Sequence, residues 1–265
     1  MPERWLEAKG FLLDMTGVLY DSYGLTGTAI PGSCEALQLL RQHHVPFRFV
    51  TNESTSDRQF LAMVLSTLGL QIDAQEIIAP APQVVKIVRE RGLRPFLLVK
   101  DTVLQEFAGL KTTNPNCVVL GDAQDDFSYE NVNRAFSILM NLPKPVLLSM
   151  GCGRYYKETD GLKMDVGAYC KALEYACGIQ AECCGKPDPR FFQMALDSLG
   201  LEADAVVMVG DDVRNDVNGA QRVGMRGVLV KTGKYRTGDE EHGERRPDAV
   251  MENLLEVVRM YLHST

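Results

Sequence analysis

The sequence predicts an α/β protein built on a mostly parallel sheet, and two observations lead to that class. Short apolar runs of strand length recur along the chain, without the alternation of apolar and polar residues that marks a half-exposed sheet. Amphipathic stretches of helical length separate most of these runs. The runs are GFLLDM, VPFRFVTN, PFLLVK, CVVLG, PVLLSM, AECCG, AVVMVGD and RGVLVKTG.

The predicted helices alternate with these strands. The first spans Ser33 to His44, and the second spans Asp57 to Leu68 and ends at Gly69. The proline cluster APAP at 79–82 interrupts the alternation and indicates a domain boundary or a hinge. Further helices are expected near residues 83–91, 102–108, 128–141, 166–177, 189–199, 216–223 and 253–263, with an exposed polar loop over 237–247.

Composition and charge exclude several classes of protein. Of the 265 residues, 45% are apolar and 24% are charged, which is typical of a globular protein. The net charge of −7 argues against a nucleic-acid partner, which would need a basic face. We expect no membrane span and no export signal, because no apolar run is long enough and the acidic N-terminus lacks an apolar core. The seven cysteines form no C-x-x-C pair, so we expect reduced thiols and a cytoplasmic protein.

Polar residues suited to phosphate follow four of the predicted strands. Ligands of open parallel sheets bind at the carboxyl ends of the strands, so these residues are expected to meet. They are Asp14 after the first strand, Thr51 and Asn52 after the second, Lys186 before a helix, and the acids Asp211, Asp212 and Asp216.

These residue types match the needs of phosphoryl transfer. The reaction requires an oxygen nucleophile, a cation that gathers the phosphate oxygens, hydrogen-bond donors, and positive charge for the transition state. A carboxylate nucleophile divides hydrolysis into two easier steps through an acyl phosphate. Several carboxylates at one point repel each other unless a metal joins them, and Mg²⁺ accepts such oxygen ligands.

Four motifs in chain order, DMTGVLYD, TN, KP and GDDVRND, resemble those of the haloacid dehalogenase superfamily. Longer segments, among them FVTNES, GLRPFLLV, GRYYKETDGL and DVGAYCKALEYACGI, resemble its members that act on phospholysine, phosphohistidine and inorganic pyrophosphate. The resemblance implies a Rossmann-like core over residues 1–79 and 181–265, and an inserted α/β cap over 80–180. It also implies a Mg²⁺-dependent phosphatase that hydrolyses P–N bonds and pyrophosphate through an aspartyl phosphate.

The resemblance also implies a role for each motif residue. Catalysis would use Asp14, Thr16 and Lys186, with Asp14 as the nucleophile and Lys186 neutralising the phosphate. The phosphoryl group would be bound by Asp14, Thr16, Thr51, Asn52 and Lys186. Mg²⁺ would be held by Asp14, the backbone carbonyl of Thr16 and Asp211, with Asp212 or Asp216 reaching it through water.

Thr16 departs from the superfamily pattern. Most of the superfamily's phosphatases carry a second aspartate at this position as the general acid and base, and a threonine cannot deliver a proton as a carboxylic acid does. Leaving groups that are already stable, or that carry their own proton, need this residue less. Pyrophosphate, phosphohistidine and phospholysine fit that description. The alternatives are a phosphomonoesterase acting on sugar or nucleotide phosphates, and a binding protein that keeps the fold without turnover.

Other features leave more than one interpretation open. Glu53 or a cap residue could activate the hydrolytic water. Tyr155, Tyr156 and Lys157 of the cap could form a substrate-facing loop or could simply pack. The resemblance implies a homodimer that acts on small phosphorylated molecules and on phosphohistidine or phospholysine proteins, in the nucleus as well as the cytoplasm.

Overall fold

The structure is a computed structural model and describes residues 4–23, 26–158 and 161–264. The strands are β1 Gly10–Asp14, β2 Tyr20–Tyr23, β3 Thr26–Ala29, β4 Phe47–Val50, β5 Ile77–Ile78, β6 Pro95–Leu98, β7 Cys117–Leu120, β8 Leu147–Ser149, β9 Tyr155–Glu158, β10 Gly161–Met164, β11 Glu182–Cys183, β12 Val206–Gly210, β13 Arg226–Val230 and β14 Ala249–Met251. The helices are α1 Ser33–Gln42, α2 Arg58–Thr67, α3 Pro80–Glu90, α4 Tyr129–Met140, α5 Val166–Cys177, α6 Pro189–Leu199, α7 Gly219–Arg222 and α8 Leu254–Ser264.

The chain divides into two compact units. The first comprises Met1–Thr51, Gln59–Ile78 and Lys186–Thr265, and the second comprises Asn52–Arg58 and Ala79–Gly185. The second unit is therefore an insertion into the first. Two short segments that the sequence assigned to the core, residues 52–58 and 181–185, group with the inserted unit.

The first unit contains a six-stranded parallel sheet in the order β14-β13-β12-β1-β4-β5. Taken in chain order within this sheet, the strands follow the 3-2-1-4-5-6 arrangement of the Rossmann fold. The two halves of the sheet meet at β1 and β12, which pair in register from Gly10 with Val206 to Leu13 with Val209, and the chain passes from one half to the other after β5. In folds of this kind the ligand crevice opens at that crossover, beyond the carboxyl ends of the strands.

Helices cover both faces of this sheet, which explains why its strands are largely apolar. On one face, Phe191 and Phe192 of α6 pack in a cluster with Leu12, Val50 and Met208. On the other face, the ring of Phe11 meets Tyr261 of α8 edge-on at a centroid distance of 4.9 Å. Burial of β1 on both sides fixes the strand that ends at Asp14.

The inserted unit has its own parallel sheet of four strands, in the order β11-β8-β7-β6. One face packs under α3 and the other under α4 and α5. The predicted strand in AECCG belongs to this sheet, because β11 pairs with β8 at Cys183 and Ser149. The sequence had assigned it to the core sheet. An apolar strand of this length would fit either sheet, so only the observed pairing of β11 with β8 shows which sheet it joins.

Several other elements differ from the sequence prediction. The proline cluster begins α3, with Pro80 in the first turn, where the missing N–H costs nothing. The segment Asp101–Phe107 is a 3₁₀-helix, and a π-helical turn over Val213–Asn218 precedes α7. The hairpins β2–β3 and β9–β10 were not predicted. Within the described residues, no helix has both the length and the apolar character needed to cross a membrane.

Candidate active site

Asp14 is the last residue of β1, and its carboxylate is buried at the end of the sheet. Its Oδ1 accepts a hydrogen bond from the backbone N–H of Met15 at 2.8 Å. The same oxygen lies 2.6 Å from Nζ of Lys186. A neighbouring backbone donor and a buried cation therefore fix the orientation of this carboxylate.

Lys186 is 3% exposed, and its ammonium group is enclosed by oxygen atoms. Nζ lies 2.6 Å from Asp14 Oδ1 and 2.7 Å from Asp216 Oδ1, and it donates to the carbonyl oxygen of Val50 at 3.2 Å. Burial alone would lower the pKa of Lys186, but the carboxylates of Asp14 and Asp216 outweigh it and raise the pKa. The lysine is therefore a permanent positive charge between two acids.

The structure separates the roles of the three acids that follow β12. Asp211 and Asp216 are buried, and together with Asp14 they place one carboxylate oxygen each within 4.8 Å of one another. Asp212 instead caps the π-helical turn, because its Oδ1 accepts from the N–H groups of Arg214 and Asn215 at 2.9 Å each. Asp216 is thus the third member of the cluster, and Asp212 holds the loop.

The two oxygens of Asp211 have different surroundings. Oδ2 accepts a hydrogen bond from the backbone N–H of Lys234 at 2.8 Å, whereas Oδ1 is buried and accepts none within the described part of the chain. Burial raises the pKa of Asp211 to about 7, with the charge of Asp14 adding to the rise and Lys234 opposing it. Burial, followed by the charge of Asp14, also raises the pKa of Asp216 well above its usual range.

This cluster fits a hard divalent cation. Its donors are all carboxylate oxygens, which suit Mg²⁺ or Ca²⁺ rather than a soft metal. A buried acceptor without a donor, such as Asp211 Oδ1, is costly unless something positive reaches it. The residues present therefore fit a hard divalent cation of the kind that the sequence analysis expected.

Thr16 and Thr51 belong to the same unit as this cluster. Thr16 lies two residues beyond Asp14 and is exposed, and its hydroxyl lies 3.3 Å from the phenol oxygen of Tyr20. Thr51 follows β4 and is buried, and its N–H donates to the carbonyl oxygen of Ile78 at 3.1 Å. Both positions are therefore held by contacts within the core.

Asn52 and Glu53 belong to the inserted unit. A Cβ at position 185 would lie only 2.5 Å from Asn52 Oδ1, so this close approach requires Gly185. Glu53 Oε1 accepts from both the N–H and the hydroxyl of Thr55 at 2.5 Å, which fixes the turn after Asn52.

The tyrosines of the cap hairpin have different environments. Tyr156 hydrogen-bonds to the buried carboxyl of Asp122, whose pKa is raised chiefly by burial. Tyr155 is half exposed, opposite Met164 on the neighbouring strand. The side chain of Lys157 and residues 159–160 lie outside the described part of the chain. Tyr156 therefore has a hydrogen-bond partner within the cap, while Tyr155 presents its ring to solvent.

Comparison with known proteins identifies the family. A family model described as haloacid dehalogenase-like hydrolase matches residues 11–113, and another, described as HAD-hydrolase-like, matches residues 183–257. The chain is 54% identical over 260 residues to the phospholysine phosphohistidine inorganic pyrophosphate phosphatase of Homo sapiens, covering 98% of this chain and 96% of that protein. The chain belongs to the haloacid dehalogenase-like hydrolases. The phosphatase of the same name from Rattus norvegicus is 53% identical with the same coverage.

A solved phosphatase structure agrees with the fold. The 4-nitrophenylphosphatase from Thermotoga maritima superposes with a TM-score of 0.88 at 26% identity, covering 97% of this chain and 98% of that one. The predicted superfamily and the predicted fold class, a Rossmann-like core with an inserted α/β cap, are therefore confirmed.

In this haloacid dehalogenase-like chain, the residues around Asp211 that sequence analysis missed come from the loop after β13. Thr232 donates its hydroxyl hydrogen to the carbonyl oxygen of Gly17 at 2.5 Å. Gly233 lies so close that a Cβ there would be 2.1 Å from Asp211 Oδ2. The only signal in the sequence was a strand ending in KTGK, where a polar loop follows an apolar run at the same edge of the sheet.

Proposed function

We propose that this protein is a Mg²⁺-dependent phosphatase that hydrolyses P–N bonds and inorganic pyrophosphate through an aspartyl phosphate formed on Asp14. The observation that carries the proposal is the buried group of Asp14, Lys186 and Asp216, in which the lysine lies 2.6 and 2.7 Å from the two acids. A carboxylate nucleophile next to a buried cation and a cluster of metal-ligand acids is the arrangement that phosphoryl transfer requires.

The names of the relatives support the substrate class. Proteins named for phospholysine, phosphohistidine and inorganic pyrophosphate match 98% of this chain at 53–54% identity. The 4-nitrophenylphosphatase structure matches the fold at 26% identity. The closer relatives therefore favour P–N and pyrophosphate hydrolysis over the alternative, a phosphomonoesterase of the same family.

The first chemical step transfers the phosphoryl group to Asp14. A carboxylate oxygen attacks phosphorus and forms an O–P bond, while the P–N or P–O bond to the leaving group breaks. The leaving group departs with the bonding electron pair. The positive charge of Lys186 stabilises the oxygens of the transferring group as their charge is redistributed. The backbone N–H of Met15 keeps the nucleophile in one orientation.

The second step regenerates Asp14. Water attacks phosphorus and the bond between phosphorus and the Asp14 oxygen breaks, which releases inorganic phosphate. The water must also give up a proton, and Thr16 is not a base. Glu53, or another residue of the cap, is our candidate for accepting this proton.

We further propose which residues hold the metal and the phosphate. Asp14, Asp211 and the backbone carbonyl of Thr16 would bind Mg²⁺, and Asp216 rather than Asp212 would support them, because Asp212 is used as a helix cap. When bound, Mg²⁺ supplies charge that neutralises the phosphoryl oxygens. The list of proposed phosphoryl-binding residues is Asp14, Thr16, Thr51, Asn52 and Lys186.

Oligomeric state and location remain proposals on the strength of the family resemblance. We propose a homodimer in the cytoplasm and nucleus that acts on small phosphorylated molecules and on proteins carrying phosphohistidine or phospholysine. Light scattering on the purified protein tests the dimer, and a mass corresponding to one chain would exclude it.

A leaving-group panel tests the proposed function. The substrates are imidodiphosphate, pyrophosphate and an alkyl phosphate, each assayed with Mg²⁺ and with excess chelator. We expect the first two to be hydrolysed in a Mg²⁺-dependent manner and much faster than the alkyl phosphate. Asp14→Asn, which keeps the shape of the side chain, should remove turnover of all three. A preference for the alkyl phosphate would point to the phosphomonoesterase alternative, and turnover by Asp14→Asn would exclude the proposed nucleophile.

A further inference from the structure

The loop after β13 is joined to the acidic cluster through its backbone. Lys234 N–H donates to Asp211 Oδ2 at 2.8 Å, and the Thr232 hydroxyl donates to the Gly17 carbonyl oxygen at 2.5 Å. The loop therefore connects the end of β13 to both the acid after β12 and the turn after Asp14. A residue on this loop is held in place by the site itself.

Two glycines make this approach possible. A Cβ on either Gly17 or Gly233 would lie 2.1 Å from Asp211 Oδ2, and both residues have a positive φ, of +87° and +61° respectively. Their Cα atoms thus enclose the same carboxylate oxygen, leaving the other oxygen of Asp211 for a cation. This packing fixes the backbone from which the side chain of Lys234 extends.

The two lysines beside the cluster, Lys186 and Lys234, differ in solvent exposure. Lys186 is 3% exposed and is enclosed by two acids and a carbonyl oxygen, so its charge serves only what is bound at Asp14. The side chain of Lys234 is 62% exposed, and its Nζ lies 3.2 Å from Asp212 Oδ2. Lys234 therefore has a solvent-facing ammonium group on a rigid backbone at the carboxyl end of the same sheet.

Hydrolysis of pyrophosphate or imidodiphosphate would be helped by a second positive charge that stabilises the leaving group. Their leaving group is itself a phosphate or phosphoramidate, and it gains negative charge as it departs with the electron pair of the breaking bond. Thr16 cannot neutralise that charge by delivering a proton. An exposed ammonium group can do so electrostatically, without a proton transfer.

We propose that Lys234 binds and stabilises the leaving phosphate of pyrophosphate-type substrates, and so makes them preferred over esters whose leaving group carries no phosphate. This inference rests on the proposed function, since it assigns a second charge to the same site. Lys186 acts on the transferring group, and Lys234 acts on the leaving group. The contact with Asp212 holds the ammonium group near the site and is exchanged for the substrate phosphate.

The competing explanation is that Lys234 only neutralises Asp212 and orders the loop. The two explanations differ in what they predict for substrates. A structural lysine affects every substrate and the metal equally, because it acts through Asp212 and through the loop whose backbone contacts Asp211. A leaving-group lysine affects only substrates with a second phosphate.

The test compares kcat/KM of Lys234→Met for imidodiphosphate and for 4-nitrophenyl phosphate, each with saturating Mg²⁺. The substitution keeps the backbone N–H that binds Asp211 and most of the side-chain volume. We expect kcat/KM for imidodiphosphate, divided by kcat/KM for 4-nitrophenyl phosphate, to fall by roughly 10- to 100-fold. This is the scale for losing one hydrogen bond to a charged group. Lys234→Arg, which keeps the charge, should retain most of the ratio.

A matched control comes from the same loop. Lys231 is a surface lysine whose Nζ pairs with Glu252 at 2.6 Å, so Lys231→Met removes one positive charge three residues away without touching the acids. Its substrate ratio should equal that of the unchanged protein. Mg²⁺ affinity, measured by titration calorimetry without substrate, should be no weaker for Lys234→Met than for the unchanged protein, because the substitution removes a positive charge near Asp211 and keeps the backbone N–H that binds it.

The outcomes separate this inference from the proposed function. One outcome contradicts the inference alone. If the unchanged protein hydrolyses imidodiphosphate, but Lys234→Met lowers kcat/KM equally for both substrates or weakens Mg²⁺ binding by the same factor, then Lys234 is a structural residue and the inference is wrong. If the unchanged protein hydrolyses neither imidodiphosphate nor pyrophosphate, the proposed function fails first, before any variant is compared, and the inference fails with it.

Discussion

Nζ of Lys186 lies 2.6 Å from Oδ1 of Asp14, and both side chains are buried. Asp14 ends the first strand of the core sheet, whereas Lys186 follows the whole inserted unit, 172 residues later. The insertion therefore separates in sequence two residues that the fold brings into direct contact. Because Lys186 is buried against this carboxylate, its loss should lower both the rate of catalysis and the stability of the fold.

Lys186→Ala should lower kcat by roughly 10²-fold or more, because its charge stabilises the transferring phosphoryl group in the transition state. It should also cost about 3–5 kcal/mol of stability, since Asp14 and Asp216 are left buried without their cation. Steady-state kinetics and denaturant unfolding measure the two effects. Lys231→Ala is the matched control and should change neither, because that lysine is paired at the surface. A change in KM alone would make Lys186 a binding residue only.

Mg²⁺ should raise the melting temperature of the unchanged protein, since the cation relieves the repulsion among three buried carboxylates. We expect excess chelator to abolish turnover. We expect Ca²⁺ to bind yet inhibit, because its larger and more variable coordination shell moves the nucleophile away from the phosphate. Differential scanning calorimetry and activity assays with each ion check this. Full activity in chelator would exclude a metal-dependent mechanism.

Sequence reasoning placed Asp14 and Asp211 at the same edge of one sheet because they obey a rule about parallel sheets, whereas Lys186 follows β11, a strand of the other sheet. Asp14 ends one apolar strand and Asp211 directly follows another, and strand ends in such a sheet meet at one edge. It could not decide between Asp212 and Asp216. That choice depends on the π-helical turn, which uses Asp212 as its cap and directs Asp216 inward.

Sequence reasoning did not predict the contacts of Asp211, for a different reason. They are made by the backbone N–H of Lys234 and by the absence of side chains at Gly17 and Gly233. Backbone donors carry no residue-specific signal, and a glycine in a polar loop is usually taken as a simple turn. The strand β11 was assigned to the wrong sheet because its short apolar pattern fits either one.

Gly233→Ala tests the packing around Asp211. The added Cβ would collide with Asp211 Oδ2 and would also occupy a positive φ of +61°. We expect a loss of about 2–5 kcal/mol of stability, which combines strain at positive φ with overpacking. Weaker Mg²⁺ binding should accompany it, because the carboxylate must move. Unfolding in denaturant and titration calorimetry measure the two quantities.

The control for this prediction is Gly238→Ala. Gly238 also has a positive φ, of +95°, but nothing lies within 4 Å of a Cβ there. Its cost should be limited to the conformational strain, about 1–2 kcal/mol, with Mg²⁺ binding unchanged. Equal effects of the two substitutions would show that Asp211 does not depend on Gly233.

Tyr20→Phe tests whether the contact between the Thr16 hydroxyl and the Tyr20 phenol affects turnover. The two oxygens lie 3.3 Å apart, so the phenol can orient the threonine hydroxyl. If Thr16 serves the site only through its backbone, the substitution should leave the imidodiphosphate rate within about threefold, the effect of one weak neutral hydrogen bond. A loss of two orders of magnitude would show that the hydroxyl itself takes part in the chemistry.

Thr16→Asp restores the general acid that most of the family's phosphatases have, and it tests the argument for the substrate class. Thr16 is exposed, so a carboxylate there would be solvated and within reach of the Tyr20 phenol. Delivery of a proton to an alkoxide leaving group contributes about 10²–10⁴-fold, whereas pyrophosphate-type leaving groups need it little. The rate on an alkyl phosphate should therefore rise relative to that on imidodiphosphate.

A new anion near Asp14 also opposes the binding of phosphate and could slow both reactions, so the quantity to measure is the ratio of the rates on the two substrates. Thr16→Asn controls for side-chain shape without an acid and should leave the ratio unchanged. If Thr16→Asp folds and binds Mg²⁺ with no change in the ratio, then the missing acid does not set the substrate preference, and the charge of Lys234 would have to account for it alone.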